Sequence, residues 1–517
     1  MILSSLFEFT VNRHPDEIAI KEEDEQYTYR EFDRMSSRLA HELQKIGIKK
    51  GDRIVTLTKN RLEMVTMYWA VQKIGGIFTP INFRLSSGEV KYCVENAEAA
   101  LVLYESVSEE ALFEAVNQDN KPILVSIHND SEADANFESL ISGRSESYEK
   151  PELSDEDICL MLYTSGTTGR PKGVPRTHKN EYSASTAHII QNEYQSKEKT
   201  LGIMPLYHTM GMRSLLSMTF LNGTIVMIPD FKPDEVLNII EKEKISCVYL
   251  VPTIIHDLLT CNIDNYDLSS LKKIGYAGAA MTKQLTEEVY KRLKPEIFVN
   301  HYGSTEVYTY SICNYLNEKP GCAGRAGFHQ YIRLVTPDPE SDVSPEDIVP
   351  QGESGEIIVS TDSIESFQGY WKRPEATKKA LRDGWYFTGD MGEIDKDGDL
   401  YVVGRVDDMI ISGGENIHPL EVEDVLAKHP SVEEVVVVGI EDEKWGERVV
   451  AFIVSDSQKI NSEILDEYCK NEPKLTNFKR PREYVFIKEI PKSPVGKILR
   501  NKLKEQKIME ELTEGVS

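Results

Sequence analysis

Short apolar runs alternate with longer, helix-like patterns along most of this chain. DRIVTLT (52–58) precedes EMVTMYWAVQKIG (63–75), and CVYLVP (247–252) precedes TIIHDLLT in the same way. Apolar runs separated by amphipathic segments are typical of parallel strands joined by the helices that cover them. The pattern therefore predicts an α/β fold with a large N-terminal domain of helix-covered sheets. Ligands of such folds bind at the carboxyl ends of the strands.

The pattern restarts on a smaller scale near residue 400. Strand-like and helix-like segments follow one another closely there: DLYVVG, LEVEDVLAKH, EEVVVVGI, RVVAFIVS and SEILDEYCKN. A stretch of about a hundred residues is long enough for a compact domain with its own core. We predict an N-terminal domain over 1–405 and a small, mobile α+β C-terminal domain over 406–517, joined near Gly404–Asp408.

Charge and cysteine content exclude several classes of protein. The 517 residues carry a net charge of −26, which argues against a general nucleic-acid or anionic-membrane surface. No window reaches the ~18 consecutive apolar residues of a membrane span, and the short apolar stretch at the N-terminus has no basic segment before it. The seven cysteines include no C-x-x-C pair, so we expect buried, reduced thiols. We predict a cytoplasmic protein with no nucleic-acid partner and no integral membrane association.

The stretch YTSGTTGRPKG (163–173) concentrates hydroxyl side chains and glycines directly after an apolar run. Hydroxyls, glycine amides and a lysine can surround phosphate oxygens. The spacing differs from the P-loop pattern G-x-x-x-x-G-K-[ST], and Pro171 prevents a phosphate-capping helix. The alternative, an ordinary surface loop, is disfavoured by so dense a cluster. We predict a mobile phosphate loop made of Thr164, Ser165, Gly166, Thr167, Thr168, Gly169 and Lys172.

HYGSTE (301–306) ends another strand-like run with two hydroxyls and a carboxylate. Glu306 can ligate Mg²⁺, which prefers oxygen donors and often bridges a protein to phosphates. Alternatively, Ser304 or Thr305 caps a helix whose dipole Glu306 favours. Taken alone, the motif favours the helix cap.

Two turns and a basic tail carry weaker signals. Asp390 in FTGD can bind a ribose diol, although Gly-Asp turns are common, and Arg405 in GRVDD fits either a ligand or a surface ion pair. From Lys479 to Lys507 there are ten basic and three acidic residues. Alternation along an extended segment places Arg480 and Arg482 on one side, where the pair suits a phosphate.

Six motifs follow one another along the chain: YTSGTTGRPKG, MPLYH, YGSTE, YFTGD, GRVDDMIISGGENIHPLEVE and PKSPVGKILR. In this order and spacing they resemble the adenylate-forming superfamily of acyl-CoA synthetases, luciferases and adenylation domains. The likeness runs from Arg84 to Arg500 and so covers nearly the whole chain. The tract from Arg405 onwards looks most similar to the CoA ligases for benzoate-type and fatty acids, such as the 4-chlorobenzoate–CoA ligases.

The resemblance implies an ATP-dependent carboxylic acid–CoA ligase acting on a fatty or benzoate-type acid. In this family ATP converts the acid to an acyl-adenylate with release of pyrophosphate, and the CoA thiol then takes the acyl group with release of AMP. ATP, Mg²⁺ and coenzyme A are thereby implied. By the same resemblance, Lys497 stabilises negative charge at the α-phosphate, Thr305 contacts phosphate and Glu306 holds Mg²⁺.

The resemblance also implies a nucleotide site and an acid pocket. The phosphate loop holds the β- and γ-phosphates, and Asp390 and Arg405 bind the ribose. The residues that flank the adenine or the acyl carboxylate are Gly278, Ala279, Tyr302 and Gly303. His208 gates the substrate carboxylate, unless it is only a structural histidine. The acid pocket is lined by Thr209, Met212, Tyr249, Gly303, Val307, Tyr308 and Thr309, and its two tyrosines would favour an aromatic or medium-length acid.

Adenylation and thioester formation need different groups at one centre. In this family the small domain rotates between the two steps about a residue that matches Asp407, which moves Lys497 out of the site. The implied CoA-binding residues are Gly413, Gly414, Trp445, Arg480 and Arg482.

Other activities stay open. An adenylation enzyme that loads a carrier protein shares the first step, but its amino-acid-activating members carry an aspartate near the segment GIMPLYHTMGM, which has no acidic residue here. A non-catalytic relative is disfavoured because Lys172, Glu306, Asp390 and Lys497 occur together. A light-emitting oxidase shares the adenylation chemistry, but nothing in the sequence calls for it. The sequence does not identify the acid and leaves open whether the chain forms a homodimer.

Overall fold

The computed structural model describes residues 1–116, 121–128, 130–164, 170–337, 343–412, 415–442, 444–455, 460–472, 475–492 and 498–514. The chain divides into two compact units. Unit 1 comprises Met1–Tyr331 and Val359–Tyr386, and unit 2 comprises Ile332–Ile358 and Phe387–Ser517.

The strands, numbered along the chain, are β1 (Ile18–Glu22), β2 (Glu25–Thr28), β3 (Arg53–Leu57), β4 (Ile77–Pro80), β5 (Ala99–Tyr104), β6 (Ile123–Ser126), β7 (Ala135–Asn136), β8 (Ile158–Thr164), β9 (Lys172–Thr177), β10 (Lys199–Gly202), β11 (Thr224–Met227), β12 (Cys247–Leu250), β13 (Lys273–Ala277), β14 (Ile297–Tyr302), β15 (Ser311–Cys313), β16 (Arg325–Ala326), β17 (Ile332–Val335), β18 (Gly355–Ser360), β19 (Leu381–Arg382), β20 (Trp385–Ile394), β21 (Leu400–Arg405), β22 (Ile410–Ser412), β23 (Glu415–Ile417), β24 (Glu434–Asp442), β25 (Gly446–Val454) and β26 (Glu483–Phe486).

The α-helices are α1 (Leu3–Arg13), α2 (Tyr29–Lys45), α3 (Leu62–Ile74), α4 (Ser87–Ala97), α5 (Glu109–Ala115), α6 (Phe137–Ile141), α7 (His178–Gln191), α8 (Thr209–Phe220), α9 (Pro233–Glu243), α10 (Pro252–Thr260), α11 (Lys283–Glu288), α12 (Pro374–Ala380), α13 (Pro419–Leu426), α14 (Ser462–Asn471) and α15 (Arg500–Glu514).

The sheets of unit 1 are mainly parallel. Seven strands pair in the order β7-β6-β5-β3-β4-β8-β9, and β9 is antiparallel to β8. Five more pair in the order β12-β13-β14-β15-β16, of which β12, β13 and β14 are parallel. A four-stranded sheet has the order β10-β11-β1-β2. Parallel strands buried on both faces need continuous apolar runs, which is why these strands are so easily found in the sequence.

Helix burial and capping follow the sequence closely. Every residue of α3 from Met64 to Ile74 is buried, and the one charged residue among them, Lys73, pairs with Asp33 of α2. The N-terminus of α2 is a capping box between Thr28 and Glu31, and that of α7 pairs Thr177 with Asn180 in the same way. Both helices therefore begin where the sequence supplies the side chains that satisfy their first N–H groups.

Unit 2 contains its own apolar core. Strands β23, β22, β25 and β24 pair in that order, and β26 pairs in parallel with β25. One face of this sheet packs a cluster that includes Val422 and Leu426 of α13, and the other face packs Leu503 of α15. In the same unit, β21 pairs antiparallel with β20.

The structure confirms the predicted α/β class and the elements read from apolar patterns. The runs at 52–58, 63–75 and 247–252 correspond to β3, α3 and β12, and the segments after residue 400 correspond to β21, α13, β24, β25 and α14. All seven cysteines are unbridged; six are buried and Cys261 is partly exposed. Within the described residues, no helix is long and apolar enough to cross a membrane. The predicted domain boundary near residue 405 stays a prediction.

Candidate functional site

The predicted phosphate loop connects two antiparallel strands. β8 ends at Thr164 and β9 begins at Lys172, and these residues lie opposite each other in the register. The Thr164 hydroxyl donates to the Lys172 carbonyl oxygen at 3.5 Å. A hairpin connection requires no helix, which explains why Pro171 is compatible with the motif. Ser165, Gly166, Thr167, Thr168 and Gly169 lie outside the described residues.

The carboxyl ends of two adjacent parallel strands bring together the residues predicted to flank the adenine or the acyl carboxylate. Ala277 at the end of β13 lies opposite His301 of β14. Gly278 and Ala279 follow directly after β13, and Tyr302 ends β14. Gly303 comes next and must be a glycine, because a Cβ there would lie 1.6 Å from the Tyr308 carbonyl oxygen. This is the sheet edge at which α/β folds bind their ligands.

Glu306 does not lie at a helix N-terminus, so the helix-cap interpretation of YGSTE is wrong. Residues 303–310 form bends and one isolated bridge, with no helix. The Ser304 hydroxyl accepts a hydrogen bond of 3.1 Å from the Glu306 N–H and closes a turn. Thr305 is partly exposed, whereas Glu306 is only 6% exposed. A buried carboxylate in a non-helical turn needs partners from elsewhere in the chain.

Tyr370 supplies one such partner and connects Glu306 to Lys172. Its hydroxyl donates to Glu306 Oε1 at 2.7 Å, and the Lys172 ammonium lies 4.4 Å from the centroid of its ring. A cation over an aromatic face is attracted by the ring quadrupole. Two residues predicted to act on phosphate and on Mg²⁺ thus meet through one side chain that the sequence did not single out.

The segment around Tyr370 is fastened to both motifs by its backbone. The Phe367 N–H donates to the Glu306 carbonyl at 2.9 Å, and the Trp371 N–H donates to the Gly173 carbonyl at 2.8 Å. Ser366 also forms an isolated bridge with Val307. The segment 366–371 therefore holds the YGSTE turn and the phosphate hairpin in one register.

A buried cluster of charged side chains contacts the YGSTE turn. Glu181 of α7 pairs with the Arg176 and Arg213 guanidinium groups, and all three residues are at most 3% exposed. The centroid of the Tyr308 ring lies 4.3 Å from the Arg176 guanidinium carbon and 4.1 Å from that of Arg213, and the Tyr308 hydroxyl donates to Glu181 at 3.3 Å. Arg176 also donates to the Glu306 carbonyl at 2.8 Å. Burying these charges together costs less than burying any one alone.

Glu365 is the second carboxylate of this charged cluster. It is 1% exposed, and burial raises its pKa to about 7, although the two arginines and the Thr309 N–H oppose the shift. Its Oε2 atom has no hydrogen-bond partner among the described residues. The cluster therefore holds two guanidinium groups, one carboxylate that is paired with both of them, and a second one that carries a proton near neutral pH.

A neutral polar cluster lies further along α7. The rings of His188, Tyr249 and His301 have centroids 4.6 to 5.3 Å apart, and all three residues are buried. Asn192 bridges the two histidines, with contacts of 3.2 Å to each ring. Burial lowers the pKa of His301 to about 3 and that of His188 well below its ordinary value, so both rings are uncharged. Tyr249 is the one member that the sequence had predicted.

The remaining predicted pocket residues lie on α8 and after the YGSTE turn. His208 is the N-cap residue of α8 and is partly buried, and Thr209 and Met212 follow in the first turn. Met212 and Val307 are fully buried, and Thr309 is partly buried. Tyr308, predicted as a pocket wall, has two guanidinium groups within 4.3 Å of its ring centroid. Its place in the charged cluster is thus shown, and its role as a wall stays a prediction.

Unit 2 carries the residues predicted to bind ribose. Asp390 of β20 and Arg405 of β21 lie opposite each other in the register, and their side chains form an ion pair. Gly389 has a φ of +72°, and a Cβ there would lie 2.8 Å from the Arg405 guanidinium. The sequence FTGD thus requires its glycine so that the arginine can approach the aspartate.

The predicted CoA-binding residues of unit 2 are only partly brought together. Trp445 is 38% exposed, and the Arg482 guanidinium lies 5.8 Å from its ring centroid. Arg480 instead pairs with Asp466 of α14. Gly413 and Gly414 lie outside the described residues.

Arg500 anchors the chain that follows Lys497. Lys497 itself lies outside the described residues. Arg500 donates to Glu423 Oε2 at 3.0 Å and to the Val437 carbonyl at 3.2 Å, and it lies 3.6 Å from Asp408. Asp407, the predicted hinge residue, is exposed in the turn between β21 and β22. The motif that carries the lysine is thus attached to the core of unit 2 by its last residue.

Comparisons with known proteins agree on one family. The family model for AMP-binding enzymes matches residues 7–371, and that for the C-terminal domain of AMP-binding enzymes matches residues 421–497. The chain belongs to the AMP-binding enzymes. It is 32% identical to the long-chain-fatty-acid–CoA ligase FadD13 of Mycobacterium tuberculosis, over 93% of each chain, and 33% identical to a feruloyl-CoA synthase of Amycolatopsis sp, over 95% of this chain and 96% of the relative.

A solved structure agrees with this assignment. The ATP-bound MatB of Rhodopseudomonas palustris has a TM-score of 0.87 and 26% identity, and the match covers 97% of this chain and 98% of that chain. These findings confirm the predicted family, fold class and enzyme class, an AMP-forming acid–thiol ligase that uses ATP and CoA. Its substrates are small molecules.

Several buried polar residues around this site were not predicted from the sequence. They are Glu181, His188, Gln191, Arg213, His301, Glu365 and Tyr370. A signal for the three residues on α7 did exist, because Glu181, His188 and Gln191 recur, with Ser185, at helical spacing on one face of that helix. Polar side chains at that spacing normally indicate a solvated face, and only the fold shows that this face is buried.

Proposed function

We propose that this enzyme activates a fatty or benzoate-type acid at the strand ends of unit 1, with Lys172, Tyr370 and Glu306 as its phosphate-side machinery. The observation that supports this proposal is the contact chain in which Tyr370 joins Lys172 to the Glu306 carboxylate. A cation and a carboxylate at the carboxyl ends of parallel strands suit a magnesium-bound triphosphate. The names of the two relatives support an aliphatic or an aromatic acid.

The donor set fits Mg²⁺ held with the help of phosphates. Among the described residues, no group of three or more His, Cys, Asp or Glu side chains could hold a metal by itself. Mg²⁺ usually keeps several waters and takes one or two carboxylates plus substrate oxygens. Glu306 offers such a carboxylate, with Tyr370 orienting Oε1. The ion, when bound, would neutralise charge that develops on the phosphates.

We propose the following roles in adenylation. An oxygen of the substrate carboxylate attacks the α-phosphorus of ATP, the bond to the β-phosphate oxygen breaks, and pyrophosphate leaves. Lys172 and the phosphate loop hold the departing phosphates, and Thr305 donates to a phosphate oxygen. Asp390 and Arg405 bind the ribose, and Lys497 stabilises the charge on the α-phosphate. These last three residues are carried over from the family resemblance.

In the second step the CoA sulfur attacks the acyl carbon and AMP leaves. We propose that a C-terminal domain over 406–517 turns about Asp407 between the steps, and that Trp445 and Arg482 contact CoA. The exposed turn that contains Asp407 supports this hinge. Asp407→Pro should spare acyl-adenylate formation and block thioester formation. Equal loss of both steps would contradict the hinge.

Pyrophosphate release with ATP and Mg²⁺, across a panel of benzoates and straight-chain acids with and without CoA, tests the proposed reaction. Sustained turnover that needs CoA is the expected result. Glu306→Gln should reduce turnover to a trace, and the remaining activity should require a higher Mg²⁺ concentration. A stoichiometric burst that CoA does not alter would instead indicate a carrier-protein acceptor and would remove Arg480 and Arg482 from the CoA site.

The seven unbridged cysteines fit a reducing compartment, and we propose the cytoplasm as the location. A homodimer stays a prediction that the elution volume of the purified protein would test.

A further inference from the structure

Helix α7 turns a polar face towards the protein interior, and the end of this face carries atoms that lack hydrogen bonds. His188 and Gln191 lie one turn apart and are 2% and 9% exposed. Among the described residues, His188 Nε2 and both polar atoms of the Gln191 amide have no hydrogen-bond partner, and neither does His301 Nδ1. Buried polar atoms are seldom left unpaired, because each costs the free energy of its lost hydration.

The hydrogen bonds of Asn192 determine which nitrogen of each imidazole ring carries the hydrogen. Asn192 Nδ2 donates to the His188 carbonyl at 2.8 Å, which fixes the orientation of the amide. The same nitrogen then donates to His188 Nδ1, and Asn192 Oδ1 accepts from His301 Nε2, each at 3.2 Å. Since both rings are uncharged, His188 Nε2 carries a hydrogen and His301 Nδ1 does not. Within the part of the chain that the structure describes, the two histidines therefore leave one donor and one acceptor without partners.

The cluster of His188, Tyr249 and His301 lies against the sheet that contains β12, β13 and β14. Tyr249 of β12, predicted as a pocket wall, lies opposite Gly275 of β13. A Cβ on Gly275 would lie 2.8 Å from Asn192 Oδ1 and 3.0 Å from the Tyr249 ring, so the glycine makes room for these side chains. His301 directly precedes Tyr302, at the strand end where the acid's carboxylate is proposed to bind. The Tyr249 ring contacts both imidazole rings, so an acid that lies against Tyr249 would carry its far end towards His301 and His188.

We propose that His188, His301 and Gln191 form the inner end of the acid pocket and select acids that carry an uncharged hydroxyl group far from the carboxylate. This proposal rests on the proposed ligase function. A hydroxyl accepts one hydrogen bond and donates another, which matches the donor of His188 and the acceptor of His301. A charged group is matched less well, because both imidazole rings are uncharged and the Arg213 guanidinium already pairs with Glu181.

Matched pairs of acids that differ only in the terminal hydroxyl provide the test. Hexanoate with 6-hydroxyhexanoate, and 3-phenylpropanoate with 3-(4-hydroxyphenyl)propanoate, are compared by kcat/KM for CoA-dependent AMP formation. The wild-type enzyme should prefer the hydroxylated acid of at least one pair by about tenfold or more, since the unhydroxylated acid leaves buried polar atoms unpaired. Nearly equal values in both pairs would overturn the proposal while leaving the ligase function intact.

Two variants from different elements locate the preference. His188→Phe and His301→Phe keep an aromatic ring and remove both ring nitrogens, one that faces the proposed hydroxyl and one that bonds Asn192. Either variant should reduce the hydroxyl preference to near unity with an unchanged KM for ATP. His256→Phe, at an exposed position of α10, is the matched control and should leave the preference unchanged. A preference that survives in the folded variants would overturn the assignment of these histidines. Absence of CoA-dependent turnover with every acid would reject the ligase function and this proposal together.

Discussion

The two halves of α7 hold buried polar clusters of opposite character. The first half places Glu181 between Arg176 and Arg213, so each of these three charged side chains has an opposite charge beside it. The second half places His188 beside His301, both uncharged, and each ring has one nitrogen without a hydrogen-bond partner among the described residues. The charged half is attached to the turn that carries Glu306, whereas the neutral half lies beside a predicted pocket wall. Paired charges suit a support, and uncharged polar groups with free hydrogen-bonding capacity suit a surface that meets a ligand.

The difference follows from the cost of burial. A guanidinium or carboxylate in the interior must be paired, so a charged cluster has few alternative arrangements and holds its neighbours rigidly. A neutral imidazole loses less when it lacks a partner, so it can be held ready for a substrate. The following four changes test this contrast between support and recognition.

Removing the Glu181 carboxylate should destabilise the charged cluster. Glu181→Ala leaves Arg176 and Arg213 buried without their counter-charge, which should lower the free energy of unfolding by about 3–5 kcal/mol. Urea denaturation followed by fluorescence measures this as a lower midpoint. Glu156→Ala, at an exposed ion pair with Lys179, is the control and should change the free energy by less than about 0.5 kcal/mol. Similar effects of both substitutions would show that the cluster supports nothing.

Glu365 makes the charged half sensitive to pH. Burial raises the pKa of its carboxyl from 4.5 to about 7, while Arg176 and Arg213 oppose the shift and Glu181 adds to it. Between these values the unfolded carboxyl loses its proton and the folded one keeps it, so this group's stabilising contribution is lost as pH rises. Glu365→Gln should therefore gain up to about 3 kcal/mol relative to wild type between pH 4.5 and pH 7.5.

Denaturation midpoints of both proteins across this range measure the gain. Asp362→Asn, at an exposed position of the same segment, is the control and should show no such trend. A constant difference between wild type and Glu365→Gln at all pH values would contradict a protonated Glu365.

Tyr370→Phe tests whether support of Glu306 matters for chemistry. The variant keeps the ring under Lys172 and removes the 2.7 Å hydrogen bond to the Glu306 carboxylate. A hydrogen bond to a charged group contributes about 1.5–3 kcal/mol, so kcat should fall by about tenfold or more and the Mg²⁺ requirement should rise. Steady-state kinetics with varied Mg²⁺ measure both. If only the KM for the acid changed, Tyr370 would belong to the acid pocket instead.

Local patterns in the sequence were sufficient to predict the helices and strands. They were also sufficient to predict one of the two residues in most of the contacts at the site. β12, β14 and α3 are visible because their apolar runs are continuous, and Glu306 and Lys172 because their motifs are dense. Their partners were not visible, because Tyr370 is 64 residues from Glu306 and Arg213 is 32 residues from Glu181. The helix-cap interpretation of Glu306 failed for the same reason, since the contacts that hold the turn come from a distant segment.

Tyr308 belongs both to the charged cluster and to the predicted acid pocket, so its two roles must be separated by experiment. The sequence suggested a pocket wall, for which truncation to alanine should admit bulkier acids. In the structure, however, the ring contacts two buried guanidinium groups, so alanine would disturb the charged cluster as well as the pocket. Tyr308→Phe separates the two roles, because it keeps the ring and removes only the 3.3 Å hydrogen bond to Glu181.

A supporting residue predicts a small and specific result for this variant. The free energy of unfolding should fall by about 1 kcal/mol, the usual net contribution of one hydrogen bond, and the relative kcat/KM values across the acid panel should stay unchanged. Denaturation and the acid panel measure the two effects on the same preparation. A changed order of acids with unchanged stability would instead place the Tyr308 hydroxyl in the acid pocket. Recognition would then extend to the part of α7 that carries Glu181.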